Sequence, residues 1–293
     1  MRIILIGASG LIGNYFFHFL KKKKINVVGT YFKNKKKDLI KFNLNKDKIT
    51  NRIKNLNEDD VVFIFSAFSN PGWISKNKIK AKLTNITSTK KLIKELKYKN
   101  CKIIFMSSVE VFDGKKGKFF EDDLPNPLNF YGKAKLIIET FIKNNLSNYK
   151  IFRTSWNSDL VSGYRCVVEL TYKTITQKNA LMASDNLLSI TYVKDLCEKM
   201  LKCIFLDENV IHIANSERIT RYNLARKIQS ISTNTKNMNF KKCYFKQIKY
   251  SEPRGLKNIL GSKVLKKYNL DRFTKIDEIV SRKVSFLDKT MKL

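Results

Sequence analysis

Tyr131 and Lys135 stand four residues apart at the head of a segment with helical periodicity, carried by Leu136, Ile137, Ile138, Phe141 and Ile142. Residues at i and i+4 share one helical face, so a phenol and an ammonium placed there can point into the same space. A free tyrosine titrates near pH ~10 and is a reluctant acid at neutrality. A neighbouring ammonium favours the phenolate and draws that value toward the working pH, where general acid–base catalysis is efficient. A lowering of about three units corresponds to roughly 4 kcal/mol, within reach of a desolvated cleft. Upstream, the apolar run from Lys102 to Met106 gives way to Ser107-Ser108. A serine hydroxyl can donate to the carbonyl oxygen that the phenol protonates. Ser108, Tyr131 and Lys135 therefore suit proton transfer to a carbonyl that takes a hydride from its other side. The Tyr-x-x-x-Lys spacing alone also arises by chance in a chain rich in both residues, so the elements around it decide the matter.

Those elements begin at the first residues. Arg2 to Ile6 reads as a buried strand, followed at once by Gly7-Ala8-Ser9-Gly10-Leu11-Ile12-Gly13 and a helical pattern through Tyr15, Phe16, Phe19 and Leu20. Strand, glycine turn and helix in that order are the context of a dinucleotide fingerprint. Glycines let the backbone approach a pyrophosphate, whose charge is favoured at a helix N-terminus. Gly7, Ser9, Gly10, Leu11, Ile12 and Gly13 are the candidate phosphate-binding set; a packing turn without a ligand is the plainer alternative.

The next strand, Asn26 to Tyr31, ends without the carboxylate that would bind an NAD ribose. Thr30 and Tyr31 lead instead into Phe32-Lys33-Asn34-Lys35-Lys36-Lys37. That cluster suits a 2′-phosphate, which favours NADPH over NADH, and it also suits a solvated lysine loop. Asn43-Leu44 follows where an adenine would be bordered. Val61 to Phe65 reads as a strand opening on Ser66-Ala67-Phe68-Ser69-Asn70-Pro71, small residues able to pass beneath a cofactor. A helical pattern from Ile79 to Leu96 leads back to the strand before Ser107. Strands and helices alternate, with short apolar runs and no strict polar alternation, which predicts an α/β fold with a doubly wound parallel sheet. Gly7, Ser66 and Ser108 each follow a predicted strand, at the carboxyl edge where such sheets bind ligands.

Ser107-Ser108, Val111-Phe112-Asp113-Gly114, Glu121, Pro127-Leu128-Asn129, Tyr131-Gly132-Lys133-Ala134-Lys135 and Glu139 occur in that order, followed by Arg153-Thr154-Ser155-Trp156. Later come Asp185-Asn186, Thr191-Tyr192, Asp195-Leu196, His212-Ile213-Ala214-Asn215 and Thr220-Arg221-Tyr222 with Leu224-Ala225. On these residues the chain resembles the extended short-chain dehydrogenase/reductases, and within them is similar to the dTDP-4-dehydrorhamnose reductase family. The resemblance implies a Rossmann-like NAD(P)-binding domain over 1–155. A smaller C-terminal substrate-binding lobe over 156–293 would return in part to the sheet. It implies Ser108 as the carbonyl-orienting hydroxyl, Tyr131 as proton donor, and Lys135 as the group that tunes Tyr131 and binds the nicotinamide ribose. The substrate implied is a nucleotide-activated 4-keto sugar and the setting polysaccharide biosynthesis. Arg254 is a candidate for the substrate diphosphate, since a planar guanidinium suits phosphate oxygens, although a lone arginine is also a common surface residue. Arg153 is open between a structural and a substrate role.

Three departures bear on the substrate. The family pattern places Asp-Tyr between the catalytic hydroxyl and Val-Phe, where this chain has Val109-Glu110. The segment from Phe68 to Thr84 lacks acidic residues, and Glu252-Pro253-Arg254-Gly255-Leu256 matches the family's Arg-Pro segment only loosely. Which sugar and which nucleotide are bound stays open. So does the choice between a reductase, an epimerase or dehydratase that keeps its NAD, and a non-catalytic subunit on the same fold.

Composition sets the outer limits. A chain of 293 residues can bury a substantial core, and no apolar run reaches transmembrane length. The first apolar run is itself the first strand, which argues against a signal peptide. Five cysteines without a Cys-x-x-Cys pair suggest neither a disulfide framework nor zinc, and a reduced cytoplasm is the expected compartment. His18 and His212 join no ligand cluster, so no metal-binding residues are expected, and whether a divalent metal assists stays open. The net charge of +33 raises nucleic acid as a partner. Lysine dominates, however, and is spread along the chain with asparagine rather than clustered with exposed aromatics, so no nucleic-acid or membrane partner is expected. The charge should instead steer anionic nucleotides inward. Monomer and homodimer are both compatible with the sequence.

Overall fold

A computed structural model describes residues 1–160 and 166–291. Its centre is a seven-stranded parallel sheet built from β1 (Arg2–Ile6), β2 (Val27–Tyr31), β3 (Leu39–Lys41), β4 (Asp60–Ile64), β5 (Lys102–Ser108), β6 (Tyr149–Thr154) and β7 (Val210–His212). The strand order is β7-β6-β5-β4-β1-β2-β3, a doubly wound arrangement whose direction reverses between β1 and β4. Ligands of such sheets sit at that switch point, beyond the carboxyl ends.

Side chains alternate across each strand, and both faces are covered. In β1, Ile3 and Leu5 enter one core cluster with Phe16, Phe17 and Leu20 of α1 (Leu11–Lys22). Ile4 and Ile6 enter the other with Leu92, Ile93 and Leu96 of α2 (Thr89–Lys97) and Ile138 and Ile142 of α3 (Phe130–Asn145). Each such side chain, fully withdrawn from water, contributes about 1.5–3 kcal/mol before entropy is counted. Lys21 and Lys22 close α1 at the end where the helix dipole favours cations.

Two elements differ from the sequence expectation. The short strand β3 lies outside β2 and was not separable by periodicity. The helical stretch expected over Ile79 to Leu96 is interrupted by a π-helical segment at Leu83–Ser88. Within that segment Asn85 grips the backbone of Phe68, with Oδ1 accepting from Phe68 N and Nδ2 donating to Phe68 O, both at 2.8 Å. The loop after β4 is thereby fixed.

The later part of the chain contributes to both layers. Val193–Cys203 and β7 pack into the sheet's own core, with Val193, Leu196, Met200 and Ile211 in the cluster around α1. The helices Val167–Ile175, Arg221–Ile231 and Ile276–Thr290 pack into an apolar cluster separate from the two that flank the sheet. The segment at Glu252 and Pro253 is tied to the head of α3, where Phe130 N donates to Glu252 Oε2 at 2.9 Å and Asn129 Nδ2 to Pro253 O at 3.1 Å. All five cysteines are buried as free thiols, and no helix among the described residues is long and apolar enough to cross a membrane.

Candidate active site

Strand register fixes where the chemistry sits. Pairing of β1 with β4 runs from Arg2–Asp60 to Ile6–Ile64, and pairing of β5 with β6 ends at Ser108–Thr154. The residues that follow these strands therefore open on one edge. A cleft of about 360 Å³ lies there, lined by Gly7, Gly10, Leu11, Ile12, Gly13 and Ala67, by Ser108, by Tyr131 and Lys135 of α3, and by Arg254. The three proposed catalytic residues and the glycine turn share one space.

The glycine turn is shaped for close approach. Gly7 adopts φ +93°, and a Cβ added to it would meet Ser66 Oγ at 2.6 Å. A Cβ at Gly13 would lie 2.6 Å from the Gly7 carbonyl oxygen, so only glycine lets the first turn of α1 pass this loop. Gly10 caps α1 without any side-chain partner. The orphan N–H groups of that helix start, with the helix dipole behind them, suit an anionic phosphate. The cradle fits a dinucleotide pyrophosphate.

Other residues expected at the cofactor lie outside the cleft lining. Thr30 is buried beneath the turn, its hydroxyl accepting from Gly7 N at 3.0 Å and donating to Leu5 O at 3.3 Å. It holds the turn from below. Ser66 packs closely against Gly7, and Ser9 is half-buried on the turn itself. Asn43 uses Oδ1 to accept from Asn45 N at 3.1 Å, and Leu44 packs on the core. Lys33 is exposed in the loop after β2.

The catalytic helix is seated by two local devices. Asn129 caps α3, its Oδ1 accepting from Gly132 N at 2.9 Å. Gly132 lets the helix start press against the turn that carries Ser108, since a Cβ there would stand 1.9 Å from the Glu110 carbonyl oxygen. Ser108 Oγ itself accepts from Glu110 N at 3.2 Å, closing that turn. Lys135 is 5% exposed; its Nζ donates to Met106 O at 2.6 Å and lies 5.6 Å from the Tyr131 ring centre. Burial pushes the Lys135 ammonium down to about 7, against an opposing pull from Glu139.

Behind Lys135 runs a buried polar chain. Glu139 accepts from Ser107 Oγ and from both Nε and Nη2 of Arg153, at 3.0 and 2.6 Å, with Arg153 only 1% exposed. Arg153 Nη1 reaches His212 Nε2 at 3.3 Å, while His212 Nδ1 faces Gly261 O at 2.9 Å. That geometry defines a neutral imidazole with its proton on Nδ1, and burial lowers its pKa to about 4. Arg153 thus has a structural role, settling the choice that sequence left open.

Ser69, in the stretch expected beneath a cofactor, lines the cleft, while sequence reasoning missed further cleft residues, among them Phe65, Met106, Glu110 and Thr154 to Asn157. Thr154 and Ser155 carried one usable signal, the strand end that must lie beside Ser108 in a parallel register.

A doubly wound parallel sheet with a glycine turn at the head of its first helix defines a Rossmann-like fold. The family described as RmlD substrate binding domain matches residues 1–275, and the chain belongs to it. Among solved structures, the dTDP-4-dehydrorhamnose reductase of Clostridium acetobutylicum is similar at TM-score 0.81 and 23% identity, covering 98% of this chain and 99% of that one. The Bacillus anthracis dTDP-4-dehydrorhamnose reductase, in complex with NADP, aligns at TM-score 0.79 and 20% identity, covering 99% of both chains. At these identities they establish the fold. Among curated relatives, methionine adenosyltransferase 2 subunit beta of Bos taurus is 25% identical over 233 residues, 76% of this chain and 70% of that protein. Spore coat polysaccharide biosynthesis protein SpsK of Bacillus subtilis is 30% identical over 177 residues, 60% of this chain and 62% of that protein.

Proposed function

We propose that the protein is an NADPH-dependent reductase of a nucleotide-activated 4-keto sugar, with NADH the alternative cofactor. The observation that carries this reading is the meeting of Ser108, Tyr131 and Lys135 in the cleft that also contains Gly7 to Gly13. The dinucleotide's pyrophosphate would rest on Gly10 to Gly13 at the head of α1, and Lys33 with its lysine neighbours supports a 2′-phosphate. When bound, NADPH supplies the hydride for the keto carbon. Tyr131 Oη then gives its proton to the carbonyl oxygen, while Ser108 Oγ donates a hydrogen bond that keeps that oxygen in line. Lys135, charged, favours the phenolate that remains and holds the nicotinamide ribose. Arg254 supports the substrate diphosphate: it lines the cleft, and its buried Nε has no hydrogen-bond partner among the described residues.

A panel of nucleotide-linked 4-keto sugars, mixed with NADPH or NADH and followed at the nicotinamide absorbance, tests the reading. Stoichiometric cofactor oxidation with at least one sugar is expected. Product formation without net cofactor turnover would indicate an epimerase or dehydratase instead. A second reading is favoured by the curated relatives named as a subunit of methionine adenosyltransferase 2: a dinucleotide-binding subunit acting through a partner enzyme. Under that reading the Tyr131→Phe variant retains the full biological role.

A further inference from the structure

We infer that Glu110 selects the sugar, accepting hydrogen bonds from a donor group, hydroxyl or amino, on the ring carbon beside the reacting carbonyl. This rests on the proposed function and narrows its substrate class. Among the described residues that line the cleft, Glu110 is the one carboxylate, and it shares that lining with the cations Lys135 and Arg254. Its position follows from Ser108, two residues earlier in the same short turn, which is closed by the Glu110 N to Ser108 Oγ bond at 3.2 Å. A group that binds the substrate carbonyl at Ser108 therefore brings the adjacent ring carbon toward Glu110.

The carboxylate is held in place rather than trailing in solvent. Asn129 Nδ2 donates to Glu110 Oε2 at 2.6 Å, and the same amide is fixed by its bonds to Pro253 O and, through Oδ1, to Gly132 N. Asn129 is 3% exposed. The Glu110 backbone is clamped as well, since α3 approaches so closely that Gly132 has no room for a Cβ. One amide bond leaves a carboxylate with lone pairs to spare, and an ionised carboxylate accepts but cannot donate. Beside an anionic nucleotide sugar, such a group costs binding energy unless the sugar presents donors to it. The family pattern has an aromatic phenol here, which can donate as well as accept; this chain has Glu110. A substrate carrying a hydroxyl or ammonium at that carbon is favoured, and one with hydrogen or a carboxylate there is rejected.

Binding of non-reacting ligands tests this without turnover. The NADP⁺ complex would be titrated with dTDP-glucose and with its 3-amino-3-deoxy and 3-deoxy analogues, and with the same series on UDP, for the wild type and for Glu110→Gln. The glutamine keeps an oxygen for Asn129 but loses the charge. NADP⁺ affinity and the melting temperature, read in parallel, report an intact fold. The wild type should bind the 3-deoxy sugar about tenfold more weakly than a donor-bearing one, a charge-assisted hydrogen bond's worth. In Glu110→Gln that gap should shrink to about threefold or less. The amino arm outbinding the hydroxyl arm in the wild type alone identifies an ammonium as the preferred donor, and the reverse order identifies a hydroxyl. Equal affinities across the wild-type series, or an unchanged ladder in Glu110→Gln, would overturn the inference and leave the reductase reading standing. Binding of NADP⁺ but of no sugar of this series, on dTDP or on UDP, would overturn both.

Discussion

Burial and charge pull Lys135 in opposite directions. Its Nζ is withdrawn from water and given a single carbonyl, Met106 O, which lowers its pKa to about 7, while Glu139 one helical turn on pulls it up. A depressed lysine is charged below that value and neutral above it. Reduction uses the charged form. The free enzyme's kcat/KM for its keto sugar should therefore be level below about pH 7 and fall above it. Lys135→Arg keeps the charge at all working pH values, so the inflection should leave that region in a pH–rate series. A wild-type profile rising through neutrality would refute this assignment.

At the scale of elements, the site depends on how closely the head of α3 meets the Ser108 turn. Gly132→Ala places a Cβ on the Glu110 carbonyl and forces the two apart. A loss of about 1–3 kcal/mol is expected in denaturant unfolding, with a larger fall in kcat than in cofactor affinity, because the phenol is carried off the carbonyl. A variant as stable and as active as the wild type would show that the close approach does not matter. Sequence reading went furthest where local chemistry is self-contained. The strand–glycine–helix order at Gly7 to Gly13 and the i, i+4 pair Tyr131 and Lys135 were legible because neighbours in sequence define them. Glu110 was not legible as a cleft residue, since its placement follows from an α3 contact some twenty residues further along the chain. Thr30, one residue before the end of the expected strand, turns its hydroxyl inward, accepting from Gly7 N and donating to Leu5 O beneath the glycine turn.

For the whole molecule, the net charge is +33, and the proposed ligands, a dinucleotide and a nucleotide sugar, are both anions. Steering should make NADPH association fast at low salt and slow it by about tenfold as ionic strength approaches physiological values, with the dissociation rate little changed. Stopped-flow fluorescence of NADPH checks this, and a salt-independent association rate would refute it. The central claim is that one phenol completes the reaction. Its most direct test is single-turnover oxidation of bound NADPH by a nucleotide-linked 4-keto sugar, in the wild type and in Tyr131→Phe. The account predicts unchanged NADPH affinity in the variant and a rate lower by about a hundredfold or more. Cofactor oxidation at the wild-type rate without that hydroxyl would contradict it.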